Sequence, residues 1–383
     1  MKKLNQLAEI HQSGKPYIVY KSQKGFDLYT NFSQKIILNN KNIKSFLNKK
    51  NRYKFKDTDL FIGFFGYELL NNLIDVKVPK QKNFNFPKGI FYKPEKKIKF
   101  SNNLKYNKKS YESGNFKINI NKKTYRKIFN KFKKKIKSGE TYQIKICTKY
   151  KTQSKIDPLD FFSRLSSTNL APEAFMIKDN NYSIISCSPE NLITKKGSNI
   201  STKPIAGTVK KTKHLNKLKA LNYFRKNIKE TKEHNMIVDM ERNDLSRICK
   251  VGSVKLSKQK IVEEYKDLFH YVSLISGKLK SNIKNLDIIK AMMPGGSVIG
   301  CPKINTLNLL NNQEKENRNI YTGSFGYIKF NGDMRFNIII RSILNFKNIS
   351  EISVASGVVV DSNANHEFNE NFLKAKALID LFK

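Results

Sequence analysis

A chain of 383 residues with 39% hydrophobic and 11% aromatic content can bury a large core, as one large domain or two modest ones. It has no run of about eighteen apolar residues, so no membrane span is expected, and its start, MKKLNQLAEIHQSGK, is basic without the apolar stretch of a secretion signal. The formal charge of +42 comes from lysines spread along the whole chain, without a basic segment carrying interleaved aromatics. It speaks to solubility and non-specific binding; a nucleic-acid-binding protein is the minor reading. Cys147, Cys187, Cys249 and Cys301 lie far apart, without CxxC or zinc-ligand spacing, which fits reduced thiols in a cytoplasmic protein.

The N-terminal third alternates short apolar runs, PYIVY and LFIGFFGYELL, with polar turns. It ends in KPEKKIKFSNNLKYNKKSYESGNFK, read as a boundary or long surface loop. Two parts result, 1–117 and 118–383. Tyr125, Ile128, Phe129, Phe132 and Ile136 fall at helical spacing, SGE stops that helix, and TYQIKICTKY then alternates as a strand. Gln143, Lys145 and Cys147 share one strand face; Tyr142, Ile144 and Ile146 share the other. YSIISCSPENLITKK reads as strand and runs into STKPIAGTVKK, a small stiff loop framed by lysines. A lysine-rich helical segment ends in ETKEHNMIVDM. In GYIKFNGDMRFNIIIRS the Asn-Gly dipeptide supplies a hairpin turn, and NHEFNENFLKAKALIDLF closes the chain as a helix. Antiparallel pairing with interspersed helices gives an α+β class, not a doubly wound sheet.

Several residues stand where chemistry could be done. Glu230 and Glu233 are three apart on a helix, and Glu367 and Glu370 repeat that spacing on the last one. Either they are solvated helix faces, or their oxygens form a hard-cation site for Mg²⁺. PGGSVIGCPK has the glycine separation of a phosphate loop, but Cys301-Pro302-Lys303 follows where Lys-Ser/Thr is required, which excludes a nucleotide-triphosphate loop. Its glycines, Ser297 and a helix start at Pro302 can still present N–H groups to a carboxylate, and Ser356-Gly357 offers a similar cradle. His270 sits among apolar neighbours, as a core histidine or a site residue. Arg341 follows the run Phe336 to Ile340, as a carboxylate clamp or as the strand's exit to solvent.

The order of GETYQIKICTKY, SPENLI, KPIAGT, EHNMIVDMERNDLSRIC, HYVS, PGGSVIGCPK, GSFGYIKFNGDMRFNIIIRS and ASGVVVDSNANHEFNENFLKAKAL resembles the chorismate-utilising enzymes. That family holds anthranilate synthase component I, aminodeoxychorismate synthase component I, and the isochorismate and salicylate synthases. The resemblance covers roughly 118–383 and extends more loosely over GFFGYELL. It implies two packed antiparallel sheets flanked by helices, with the active site between them. It implies Mg²⁺ on Glu233 and Glu370, with Glu230 and Glu367 as companions. Tyr327, Arg341 and the backbone at Gly357 match the group that takes the enolpyruvyl carboxylate. Ser297, Ala206, Gly207 and Thr208 would line the ring, with Lys303 among the substrate-binding residues. Glu190 matches a general acid/base near the departing hydroxyl, and His270 the histidine beneath the ring.

Gln143 separates the branches of the family. Isochorismate and salicylate synthases carry a lysine there to activate water; an amide cannot act as a general base, whereas ammonia needs none. The resemblance therefore implies an aminating enzyme, fed by a glutamine amidotransferase subunit in trans, since the chain has no glutaminase nucleophile motif. Ala206 is the usual anthranilate synthase residue, where many aminodeoxychorismate synthases carry a lysine that attacks the ring. RNDLSRIC, PGGS, FNIIIRS and the lack of an LLES-type segment look more like aminodeoxychorismate synthases, and the balance falls to that side. Asn369, Asn371, Lys145 and Cys147 depart from the family pattern.

Overall fold

The computed structural model describes residues 2–49, 56–78, 86–101, 104, 106, 111–265 and 268–383. All strand pairings among them are antiparallel, and they can be traced as one ladder. Lys255–Glu264 pairs with Leu268–Lys278, whose other edge takes Asn199–Lys203 and Ile205–Lys210. From Asn199–Lys203 the ladder runs through Asn191–Lys196, Met334–Asn337, Ser324–Lys329 and Leu60–Phe65 to Gly89–Phe100. There it turns onto the thirteen-residue strand Gly25–Ile37. The second arm goes through Tyr17–Ser22, Glu173–Lys178, Tyr182–Ser188, Ser342–Phe346 and Ile349–Val358 to Gln143–Ile156. The two expected sheets are the two arms of this ladder.

The arms are pressed together by the alternating apolar residues of their strands. Ile18, Ile177 and Ile184 of one arm pack with Ile62, Phe64 and Phe325 of the other. Across the seam the Phe175 and Phe325 rings stack at 3.7 Å, tilted by only 6°. Fully burying one such side chain contributes about 1.5–3 kcal/mol, so the seam is fixed by many small gains.

Three helices position the glutamates and the strand that faces them. Lys122–Lys137 starts where the Asn121 side chain accepts from the Thr124 N–H at 2.9 Å, and it buries Tyr125, Phe129 and Phe132. That face lies on Ile144 and Ile146 of the Gln143 strand, which fixes Gln143 and Lys145 to the opposite face. Ile228–Ile248 is capped by the Asn227 side chain, and Ala364–Ile379 by that of Asn363. These two helices carry the glutamate pairs.

Four expectations need correction. KPIAGT is no loop: Asn199–Lys203 and Ile205–Lys210 are strands, and the register on Leu268–Lys278 shifts between Ile205 and Thr208. A bulge at Ala206-Gly207 absorbs the shift, and Gly207 takes φ +92°, which a side chain rarely adopts. The 93–117 stretch is not all loop either, since its first residues finish the strand Gly89–Phe100; 102–103, 105 and 107–110 lie outside the described residues. Tyr142, 61% exposed, precedes the strand and does not share the buried face of Ile144 and Ile146. Arg341 does not end a strand: Met334–Asn337 stops earlier, and Arg341 turns the buried chain at φ +51°.

Candidate active site

A cavity of about 490 Å³ opens where the ends of both arms meet the last helix. Of the residues singled out from the sequence, Glu190, Gly207, Thr208, His270, Ser297, Arg341 and Glu370 line it. Ala206 is buried between Ile205 and Gly207, both in the wall. Glu230 lies directly behind: a Cβ at Gly207 would come within 3.0 Å of its Oε2 and 2.8 Å of the Phe224 ring. Close approach and positive φ together demand glycine here.

The acid–base groups are held in distinct states. Burial pushes the Glu190 carboxyl up to about 7, against the pull of the Ser297 hydroxyl and of the Lys145 and Arg341 charges. Burial brings the His270 imidazole down to about 4, helped by the Arg341 charge, while Thr208 Oγ1 lies 2.8 Å from its Nδ1. A neutral imidazole and a carboxyl poised near neutrality thus face one space. Among the described residues Arg341 forms no ion pair; it lines the cavity and its charge acts on Glu190 and His270, which suits it to a carboxylate.

On the other side Glu233 Oε1 accepts from Gln143 Nε2 at 2.8 Å and from the Lys145 ammonium at 2.8 Å. The Lys145 charge, then these hydrogen bonds, outweigh burial and hold the Glu233 carboxyl down at about 2. Burial alone would lower the Lys145 ammonium, but Glu233, with Glu370 and Glu367 beyond it, raises it instead. Gln143 Oε1 is buried, without a hydrogen-bond partner among the described residues. Gly357 pairs with Lys145 in the ladder, and a Cβ there would meet its Nζ at 2.8 Å. Glu370 pairs with Lys374 at 2.7 Å.

Oxygen donors of this kind suit a hard divalent cation. The ligating atoms of Glu367 and Glu370, with exposed His366, lie within 4.8 Å of one another. Glu233 is not within that grouping, and its Oε1 accepts from Gln143 and Lys145. By donor chemistry the glutamates fit Mg²⁺.

Two residues expected at the substrate are elsewhere. Lys303, at the start of the helix Lys303–Gln313, is buried against Asp244, with which its ammonium forms an ion pair, and donates to the Ala291 carbonyl at 3.2 Å. It ties its own helix to two others, Ile228–Ile248 and Asn285–Met292. Tyr327 is not in the cavity wall; its ring lies 6.3 Å from that of Tyr20, and it packs at the seam between the arms. Tyr321, in the turn before that strand, lines the cavity instead. Nothing local in the sequence separates these two tyrosines. Lys145 and Lys374 also line the cavity, and their spacing, two from Gln143 on a strand and four from Glu370 on a helix, is a signal the sequence does carry.

The chain belongs to the family described as chorismate binding enzyme, whose sequence profile matches residues 105–380. It is 35% identical over 267 residues to aminodeoxychorismate synthase component 1 of Bacillus subtilis, covering 70% of this chain and 57% of that protein. It is 33% identical over 266 residues to anthranilate synthase component 1 of Aquifex aeolicus, covering 69% and 54%. The matches thus span little more than half of those relatives' own lengths. In fold the chain is similar to anthranilate synthase component I from Streptococcus pneumoniae (TM-score 0.78, 24% identity, 94% of this chain and 89% of that one). It is also similar to the menaquinone-specific isochorismate synthase MenF of Escherichia coli (TM-score 0.75, 16% identity, 96% and 89%). The α+β architecture expected from the sequence is the architecture found.

Proposed function

We propose that this chain aminates chorismate with ammonia to give 4-amino-4-deoxychorismate. Gln143 carries this reading. It lies beside the cavity with its Nε2 on Glu233, and an amide there cannot take a proton from water. Ammonia is a nucleophile without such help. Arg341 and Tyr321 would receive one carboxylate of the substrate, and Glu190, partly protonated at neutral pH, would protonate the departing hydroxyl. His270, neutral and pinned by Thr208, would support the ring without adding charge. Glu233 and Glu370, with Glu230 and Glu367 as companions, would hold Mg²⁺, which supplies positive charge for the ring carboxylate. The product would feed 4-aminobenzoate and folate synthesis, and a glutamine amidotransferase subunit would deliver the ammonia in a cytoplasmic complex.

A second reading rests on Ala206. With no amine at the bulge, the chain resembles anthranilate synthases there, and several of its relatives carry that name. Both readings require amination. Purified protein supplied with chorismate, Mg²⁺ and ammonium should consume chorismate, while glutamine alone should support no turnover. Turnover without any nitrogen source, giving a hydroxylated product, would contradict amination.

A further inference from the structure

We infer that Lys145 is a tethered cation that competes with the divalent ion for Glu233, so that the ion binds only by displacing its ammonium. The inference rests on the reading of the glutamates as a metal site.

The geometry is built for the ammonium. Lys145 leaves the strand on the same face as Gln143, and both reach one oxygen of Glu233 at 2.8 Å. The strand opposite contributes Gly357, where a Cβ would stand 2.8 Å from Nζ, so the missing side chain is the space the ammonium occupies. The Lys145 side chain is only 14% exposed and that of Glu233 27%, so water screens their attraction far less than that of a surface pair. Glu370 has a lysine of its own, Lys374, at 2.7 Å. Each of the two glutamates expected to share an ion thus has a lysine ammonium directly on it, and Glu233 is not in the grouping that Glu367 and Glu370 form with His366. Truncating Lys145 would take from Glu233 its directly paired ammonium and leave the Gln143 hydrogen bond and the more distant Lys374 charge, so that a divalent ion can supply the missing positive charge.

Mn²⁺ binding, monitored by the loss of the free-ion paramagnetic resonance signal without substrate, tests this. Wild type, Lys145→Met and the charge-preserving Lys145→Arg would be compared, with circular dichroism to check folding and Lys145→Gln as a second truncation. We expect both truncations to bind Mn²⁺ about tenfold or more tightly than wild type, and Lys145→Arg to stay near wild type. Equal or weaker binding in the truncations would overturn the inference while leaving amination, judged from reaction products, untouched. Absence of Mn²⁺ binding in every protein would overturn both the inference and the metal assignment.

Discussion

Thr208 Oγ1 and His270 Nδ1 lie 2.8 Å apart across neighbouring strands, directly paired in the ladder. The pairing exists because the bulge at Ala206-Gly207 shifts Thr208 into register with His270. It fixes one ring nitrogen while burial keeps the ring neutral. Nuclear magnetic resonance should find no titration of His270 between pH 8 and pH 5, roughly a unit above its value of about 4. Because the unfolded chain binds this proton near pH 6.5 and the folded chain only near 4, the contribution of His270 to stability should be lost as pH drops through that window, against the opposite contributions of Glu190 and Glu68, whose carboxyls burial holds up at about 7. Buried His234, also brought down to about 4, acts in the same direction as His270. A His270 signal that titrates near pH 6.5 would contradict the assignment.

Glu190 should act as the acid. Its carboxyl is held up at about 7, so the protonated fraction falls as pH rises through neutrality. The ratio kcat/KM should therefore decline above about pH 7, and Glu190→Gln should lose about 10²- to 10⁴-fold in kcat. A variant with near wild-type kcat would remove Glu190 from the chemistry.

The two tyrosines give a discriminating pair. Tyr321→Phe should raise KM for chorismate several-fold, whereas Tyr327→Phe, at the seam, should leave both constants within error. The opposite result would restore the expectation drawn from the sequence.

Gly207→Ala should destabilise the fold by about 1–3 kcal/mol, since the new methyl meets Phe224 and Glu230 at a positive φ. Thermal unfolding measures this. An unchanged midpoint would mean that the bulge can relax, and that its shape is not what sets Thr208 on His270.

Glu233→Gln should abolish turnover and weaken Mn²⁺ binding, because the site loses a charged oxygen ligand. If the chain were instead a nucleic-acid binder on this fold, the same substitution would leave its binding intact. Retained turnover would sink the metal assignment.

The regular elements are legible in the sequence because their periods are strong. Tyr125, Phe129 and Phe132 mark one helix face, and the Asn331-Gly332 turn joins Ser324–Lys329 to Met334–Asn337. KPIAGT reads as a loop because proline and glycine mark loops and bulges alike, and only the ladder to His270 decides between them. The glutamates can be named from spacing and resemblance. The Glu370–Lys374 pair is readable too, from its spacing of four on one helix, but the pairing of Glu233 is not, since Lys145 meets it across 88 positions of sequence. Lys303 misleads for the same reason: its partner Asp244 is 59 residues away. Such pairings belong to tertiary structure and leave no local pattern.

The most direct test of the proposed activity is chromatography of the products formed from chorismate, Mg²⁺ and excess ammonium at slightly alkaline pH, with and without added aminodeoxychorismate lyase. The predicted result is 4-aminobenzoate only when the lyase is present, with amination achieved despite alanine at 206. Anthranilate formed without the lyase would contradict it and assign the chain to the anthranilate branch.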